Sequence, residues 1–211
     1  MFKFNNLTAG QIEAVLIKVG GGTEEGVRAF LRDEYELTKV AKAVVVIVAL
    51  LLQVGTVNIP RTTEKFFAPN KFVVNTEASA KVKISFLGGN FKNYFMDKVE
   101  QPQDTRELVY HQLKKNSLDI PIITHLGGGE KVETSLMSVF ALMEKQPHGQ
   151  EGALITNGYA NIFYVLDAFE VLRVVYVYWC GGGWSVDAYS IGHPHGWSAG
   201  GQVFSANSAT V

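Results

Sequence analysis

Cysteine is almost absent from this chain: Cys180 stands alone among 211 residues, so no intramolecular disulfide can form. The N-terminal stretch MFKFNNLTAGQIEAV also lacks the charged segment and following apolar core of a secretory signal. Both absences point to a reducing cytoplasm. Neither sign of charge is in excess, with 19 Lys plus Arg against 20 Asp plus Glu, so no overall field draws the chain to nucleic acid or anionic lipid. Long apolar runs are missing too. The longest, Ala43 to Leu52 (AVVVIVALLL), falls well short of the roughly 20 residues a helical span needs, and Gln53, Gly55, Asn58 and Pro60 break its extension. Its valines favour a buried strand, and neither a membrane role nor a nucleic-acid partner is expected.

What is present is core material. A hydrophobic fraction of 47% against 18% charged residues lies far from the composition of disordered chains. The pattern predicts an α+β protein in two parts, a helical hairpin module over residues 1–38 and an α+β domain over 39–211. Thr8 and Gln11 form a capping box for a first helix to about Val19, Gly20 to Gly22 end it, and Thr23 caps a second helix to about Arg32. Strands follow over Lys39 to Ile59, Lys71 to Asn75 and Lys81 to Phe86, the last two expected as a hairpin. Phe91 to Lys98 reads as a short helix. Leu108 to Lys115 suits either a helix capped by Asp104 and Glu107 or a strand. Glu130 to Lys145 carries Val132, Leu136, Val139, Phe140 and Met143 at helical spacing and predicts one amphipathic helix ended by Pro147 and Gly149. The tail from Ser205 is small and polar enough to fray.

The stretches QIEAVLIKVGGGTEEGVRAFLR, VGTVNIPRTTEKF, KFVVN, VKISFLGGNF, FALMEKQ, NGYANIFYV and VLRVVYVYW resemble a group of uncharacterised bacterial hypothetical proteins, over most of the chain. In that group the N-terminal helical unit looks like a module placed ahead of differing C-terminal regions, which implies a shared handling or localisation role. The resemblance carries no activity, ligand or catalytic residue.

Chemical motifs are sparse. The N-terminal helix, turn and helix has the outline of a DNA-binding motif, but Glu24, Glu25, Asp33 and Glu34 outnumber Arg28 and Arg32 where phosphate would lie. GGGTEEG, and Gly127 to Lys131, match neither phosphate-loop pattern, and their glutamates would repel an anion. His193 and His195, with Asp187 nearby in sequence, supply fewer local ligands than the three or four a zinc ion takes, so no metal or cofactor is expected. Cys180 with these histidines would make the thiol and base of a small hydrolase. That is the alternative function, set against a cysteine that follows an apolar strand, where desolvation disfavours a thiolate.

The most informative segment runs from Tyr159 to Ile191 and predicts a three-stranded antiparallel meander. With loops at Asp167 to Glu170 and Gly181 to Gly183, Leu166 faces Val171, Tyr164 faces Arg173, Cys180 faces Trp184 and Val177 faces Asp187. Alternation then puts Phe163, Val165, Leu172, Val174, Tyr176, Tyr178, Trp184, Val186 and Ala188 on a core face under the amphipathic helix. The opposite face receives Ile162, Tyr164, Arg173, Val175, Val177, Trp179, Asp187 and Tyr189. Aromatic anchors mixed with both charges suit a binding surface, with Tyr164, Arg173, Trp179, Asp187 and Tyr189 as the candidate residues. The expected function is therefore a non-enzymatic intracellular interaction protein with a protein partner.

Overall fold

The computed structural model describes residues 49–194 and 196–206, all within one compact unit, Val48–Val211. Ten strands are described: β1 (Leu51–Ile59), β2 (Phe66–Phe67), β3 (Ile84–Leu87), β4 (Val99–Glu100), β5 (Arg106–Leu113), β6 (Glu133–Thr134), β7 (Asn161–Leu166), β8 (Leu172–Cys180), β9 (Gly183–Ser190) and β10 (Gln202–Ala206). With them are five short helices: α1 (Ala68–Lys71), α2 (Gly89–Phe95), α3 (Asp119–His125), α4 (Gly129–Val132) and α5 (Leu136–Lys145). Eight strands form a mixed sheet in the order β1-β5-β10-β7-β8-β9-β3, with β6 beside β7, while β2 and β4 make a separate pair. The α+β class follows. The expected N-terminal helical hairpin, and most of the Ala43 to Leu52 run, lie outside the described residues. Among the described residues no helix is long and apolar enough to cross a membrane.

Each face of the sheet is covered by its own cluster. On one, Leu136, Val139, Phe140 and Met143 of α5, with Phe91 and Phe95 of α2, pack against Phe163, Val165, Val175, Val177, Trp184, Val186 and Ala188. On the other, Ile122 of α3 and Val132 of α4 pack with Ile162, Tyr164, Val174 and Val203. The α5 stripe predicted from its spacing does bury against the sheet. Its helix is shorter than Glu130 to Lys145, however, because Glu133 and Thr134 leave the helix to pair in parallel with β7, and Thr134 Oγ1 donates to the Tyr164 carbonyl at 3.0 Å. The new start is capped twice. Ser135 Oγ accepts from the Ser138 amide at 3.1 Å, and the Glu100 carboxylate accepts from the Leu136 and Met137 amides at 2.9 and 2.7 Å.

The meander β7-β8-β9 forms as expected, but β8 is turned over. Its first loop is one residue longer than predicted, so Leu166 pairs with Leu172 and Tyr164 with Val174. The second is one residue shorter, so Cys180 pairs with Gly183 and Val177 with Val186. The two slips are opposite in sign. They cancel between β7 and β9, whose faces match the sequence expectation, and invert β8 alone, since a one-residue shift sends every side chain to the other face. Asp167 sets the first loop: its amide donates to the Val171 carbonyl, and its carboxylate accepts from the Phe169 and Val171 amides at 2.7 and 3.0 Å. Gly181 and Gly182 set the second, with φ of 61° and 84°, the left-handed pair that a two-residue hairpin turn demands. The third glycine serves a different purpose, because a Cβ on Gly183 would press on Ser85 of the neighbouring strand.

Other expectations change. Lys71 to Asn75 is not a strand: Lys71 ends α1, and Asn75 meets Ile84 only in an isolated bridge. Ile84–Leu87 instead pairs in parallel with β9. Leu108 to Leu113 takes the strand alternative and lies between β1 and β10. Ser205 and Ala206 do not fray, since they belong to β10, which is inserted between β5 and β7, and Ser205 is buried.

Candidate binding surface

The inversion of β8 divides the five candidate residues. Arg173 and Trp179 share a face with Val175 and Val177, whereas Tyr164, Asp187 and Tyr189 lie on the other. Arg173 is satisfied from within: Nε donates to the fully buried Asp167 carboxylate at 2.9 Å, Nη1 to Ser190 Oγ at 2.6 Å, and the guanidinium lies 4.3 Å from the Tyr94 ring centroid. Burial alone would raise the Asp167 carboxyl, but the Val171 and Phe169 amides and the Arg173 guanidinium outweigh it and hold the group below the ordinary carboxylate range. Lys98 closes the same loop, its Nζ donating to the Asp167 carbonyl and to Glu170. The loop tip exposes Phe169, at 71%.

Trp179 rests edge-on against Trp184, whose indole donates to the Gln146 carbonyl after α5. Tyr164 is fully buried, and its hydroxyl donates to Asp119 at 3.0 Å. Burial first, then the Asp119 carboxylate, raises that phenol far above its usual range. Asp187 stands in for a missing helix cap. Gly88 at the start of α2 has no side chain to offer, and the Asp187 carboxylate accepts the Phe91 amide at 3.2 Å. A Cβ at position 88 would overlap that carboxylate.

Tyr189 joins a row of half-buried rings, and its neighbours there are residues the sequence placed inside. Inverting β8 brings Tyr176 and Tyr178 onto its side of the sheet. Tyr189 stacks on Tyr176 with centroids 5.3 Å apart, Tyr178 lies parallel to Tyr176 at 6.2 Å, and His193 stacks on Tyr189 at 4.4 Å. Trp197 meets Tyr176 edge to face at 5.3 Å. All five rings are half-buried. The Tyr176 hydroxyl donates to that of Tyr189, and burial, that bond and the facing Asp187 keep the Tyr176 phenol protonated well above its usual range. The loop that carries Trp197 is fixed through a buried carboxylate: the indole Nε1 donates to Asp119 at 2.7 Å, and Ser117 and Trp197 exchange backbone bonds at 3.0 and 2.7 Å. Beyond Trp197 the row ends in a crevice of about 190 Å³ between Trp197 and Tyr159.

Among the described residues no group of three or more His, Cys, Asp or Glu lies close enough to hold a metal ion. His195 lies outside them. Cys180 is exposed and pairs with Gly183 at one end of β9, while His193 stacks on Tyr189 toward the other. At about 3.4 Å per residue that separation is roughly 20 Å, so Cys180 and His193 form no thiol and base pair. Tyr176 and Tyr178 were legible only through the turn, and no signal in the sequence marked Tyr159 or Trp197. Taking Gly181-Gly182 as a two-residue hairpin loop sets Tyr176 opposite Asp187 and turns the β8 tyrosines outward. Comparison with known protein families, with characterised proteins and with solved structures finds no match to this chain.

Proposed function

We propose that this is a non-enzymatic binding protein that engages a protein partner through the aromatic row Tyr178, Tyr176, Tyr189 and His193, with Trp197 and Tyr159 at its side. The observation that carries this is the contrast in how the polar and aromatic groups are used. Arg173, Asp187 and Tyr164 spend their bonding capacity inside the protein, whereas the Tyr178 and Tyr159 hydroxyls meet no partner among the described residues. Half-exposed tyrosine and tryptophan are the side chains from which protein interfaces draw most of their binding energy. The row is also rigid: stacking within it and the Asp119 anchor hold it in one arrangement, which lowers the entropy lost on binding.

The test compares affinity capture of partners by wild type, Tyr178→Ser and Phe169→Ser, with each recovered protein quantified. Phe169 is an exposed aromatic residue outside the row and so controls for nonspecific stickiness. A partner retained by wild type and Phe169→Ser but lost from Tyr178→Ser is the expected result. Equal recovery by all three would remove the row as the binding surface.

A further inference from the structure

We propose that Asn157 is a site of spontaneous covalent modification, in which the Gly158 amide nitrogen attacks the Asn157 carboxamide and converts it, through a cyclic imide, to aspartate and isoaspartate. Such a ring closes only where the attacking nitrogen is free and uncrowded and the carboxamide lies over it. Asn157 is the one asparagine in the chain that glycine follows. Both residues are exposed, and the Gly158 amide donates to nothing among the described residues. Gly158 has φ of 89°, and a Cβ there would meet nothing within 4 Å, so no side chain and no neighbour crowds the nitrogen. The electrophile is held in place as well. Asn157 Oδ1 accepts the Tyr159 amide at 3.2 Å, a turn that folds the carboxamide back over the peptide between them.

The other asparagines each lack one of these parts. Asn75 makes the same turn, its Oδ1 accepting the Glu77 amide at 3.0 Å, but the following Thr76 is β-branched and shields its nitrogen. Asn116 precedes a serine whose amide is committed to the Trp197 carbonyl at 3.0 Å. Asn161 is buried, with its carboxamide bonded to Ile155 and Val177. At Asn157 the atoms balance with water as the sole co-reactant. The Gly158 nitrogen forms a bond to Asn157 Cγ and gives its proton to solvent, and negative charge develops on Oδ1, where the Tyr159 amide already donates. The bond from Cγ to Nδ2 breaks, and Nδ2 takes a proton from solvent and leaves as ammonia. Water then opens the imide, at Cγ to give aspartate or at the Asn157 main-chain carbonyl carbon to give isoaspartate. Either product sets a carboxylate beside Tyr159 on the rim of the crevice, and isoaspartate also lengthens the main chain there by a methylene.

Ageing the full chain for weeks at physiological temperature and neutral pH tests this, beside a blocked peptide spanning Ile155 to Ala160. Peptide mapping by mass spectrometry reads the exchange of amide for acid, and enzymatic methylation specific for isoaspartate separates the two products. Both products are expected at position 157, at a rate no more than roughly tenfold below that of the free peptide, because an exposed loop opens at little cost. A position 157 that stays intact in the folded chain while the peptide converts would overturn the proposal. So would aspartate without isoaspartate, the product of direct attack by water. Conversion of Asn75 or Asn116 as fast as Asn157 would overturn the parts given to the glycine and to its free amide.

Discussion

The two faces of β8 present the same kinds of side chain to different ends. On the α5 side, Arg173 is held by Asp167 of the loop after β7, by Ser190 at the end of β9 and by Tyr94 of α2. On the opposite side, Tyr176 and Tyr178 stack with their neighbours, and Tyr178 leaves its hydroxyl to solvent. Charge and aromaticity mixed on one strand thus say little about binding until the partners of each group are counted. A guanidinium bonded to a buried carboxylate and to a neighbouring strand serves the architecture, and a row of phenols with a hydroxyl left unbonded is available to something else.

Substitutions on the two faces should separate sharply. Arg173→Ala leaves the fully buried Asp167 carboxylate without its cation, and the expected cost is about 3 kcal/mol in urea unfolding. A loss below about 1 kcal/mol would mean that the Phe169 and Val171 amides suffice alone, and the comparison between faces would weaken. Gly88→Ala comes next. Its added methyl meets the Asp187 carboxylate, and a cost of about 2 kcal/mol is expected, whereas Asp187→Ala, which only removes a cap, should cost about 1 kcal/mol. Together the two should cost less than their sum, because the second change removes the obstacle created by the first.

Acid should find the interior groups in order. His111 lies with Nδ1 buried and unpartnered among the described residues, and burial, then nearby His125, lowers its pKa. A histidine depressed in the folded state contributes full stability above its unfolded pKa. That stability is lost as pH falls through the ordinary histidine range, by at most about 1.4 kcal/mol per pH unit. His111→Gln should abolish this first loss in pH-dependent melting. Asp167, also depressed, contributes stability above the ordinary carboxylate range that disappears only as pH falls below it. Glu100 runs the other way: burial raises it more than its amide bonds lower it, so its contribution is fullest below pH 4.5 and is lost as pH rises through its raised value. The smallest stability effect is expected in the row, where Tyr178→Ser should shift unfolding by no more than about 0.5 kcal/mol while abolishing partner capture. A large destabilisation there would make the row part of the architecture after all.

What could be read from the sequence was whatever is decided locally. The period of α5, the apolar alternation of β7 and β9 and the existence of the meander all follow from spacing. What could not be read depends on distant partners. Leu108 to Leu113 becomes a strand because β1 and β10 flank it, and Glu133 with Thr134 leaves the helical pattern because β7 offers a free edge. The β8 register fell between these cases. Three consecutive glycines suggest a three-residue loop, but only two of them have positive φ, and Gly183 is a strand residue made small by Ser85. Of the candidate surface, Tyr189 was therefore placed correctly with its face, and Tyr176 and Tyr178 were not.

The close approach of Gly88 to Asp187 leaves a trace that can be followed in other genomes. A methyl group at the first position is tolerable chiefly where the carboxylate at the second has been lost, so the two positions should drift as a pair along any lineage that keeps this fold. Far apart in the chain and individually unremarked, they form a two-letter signature by which diverged copies of the fold can be recognised after the surface tyrosines have changed.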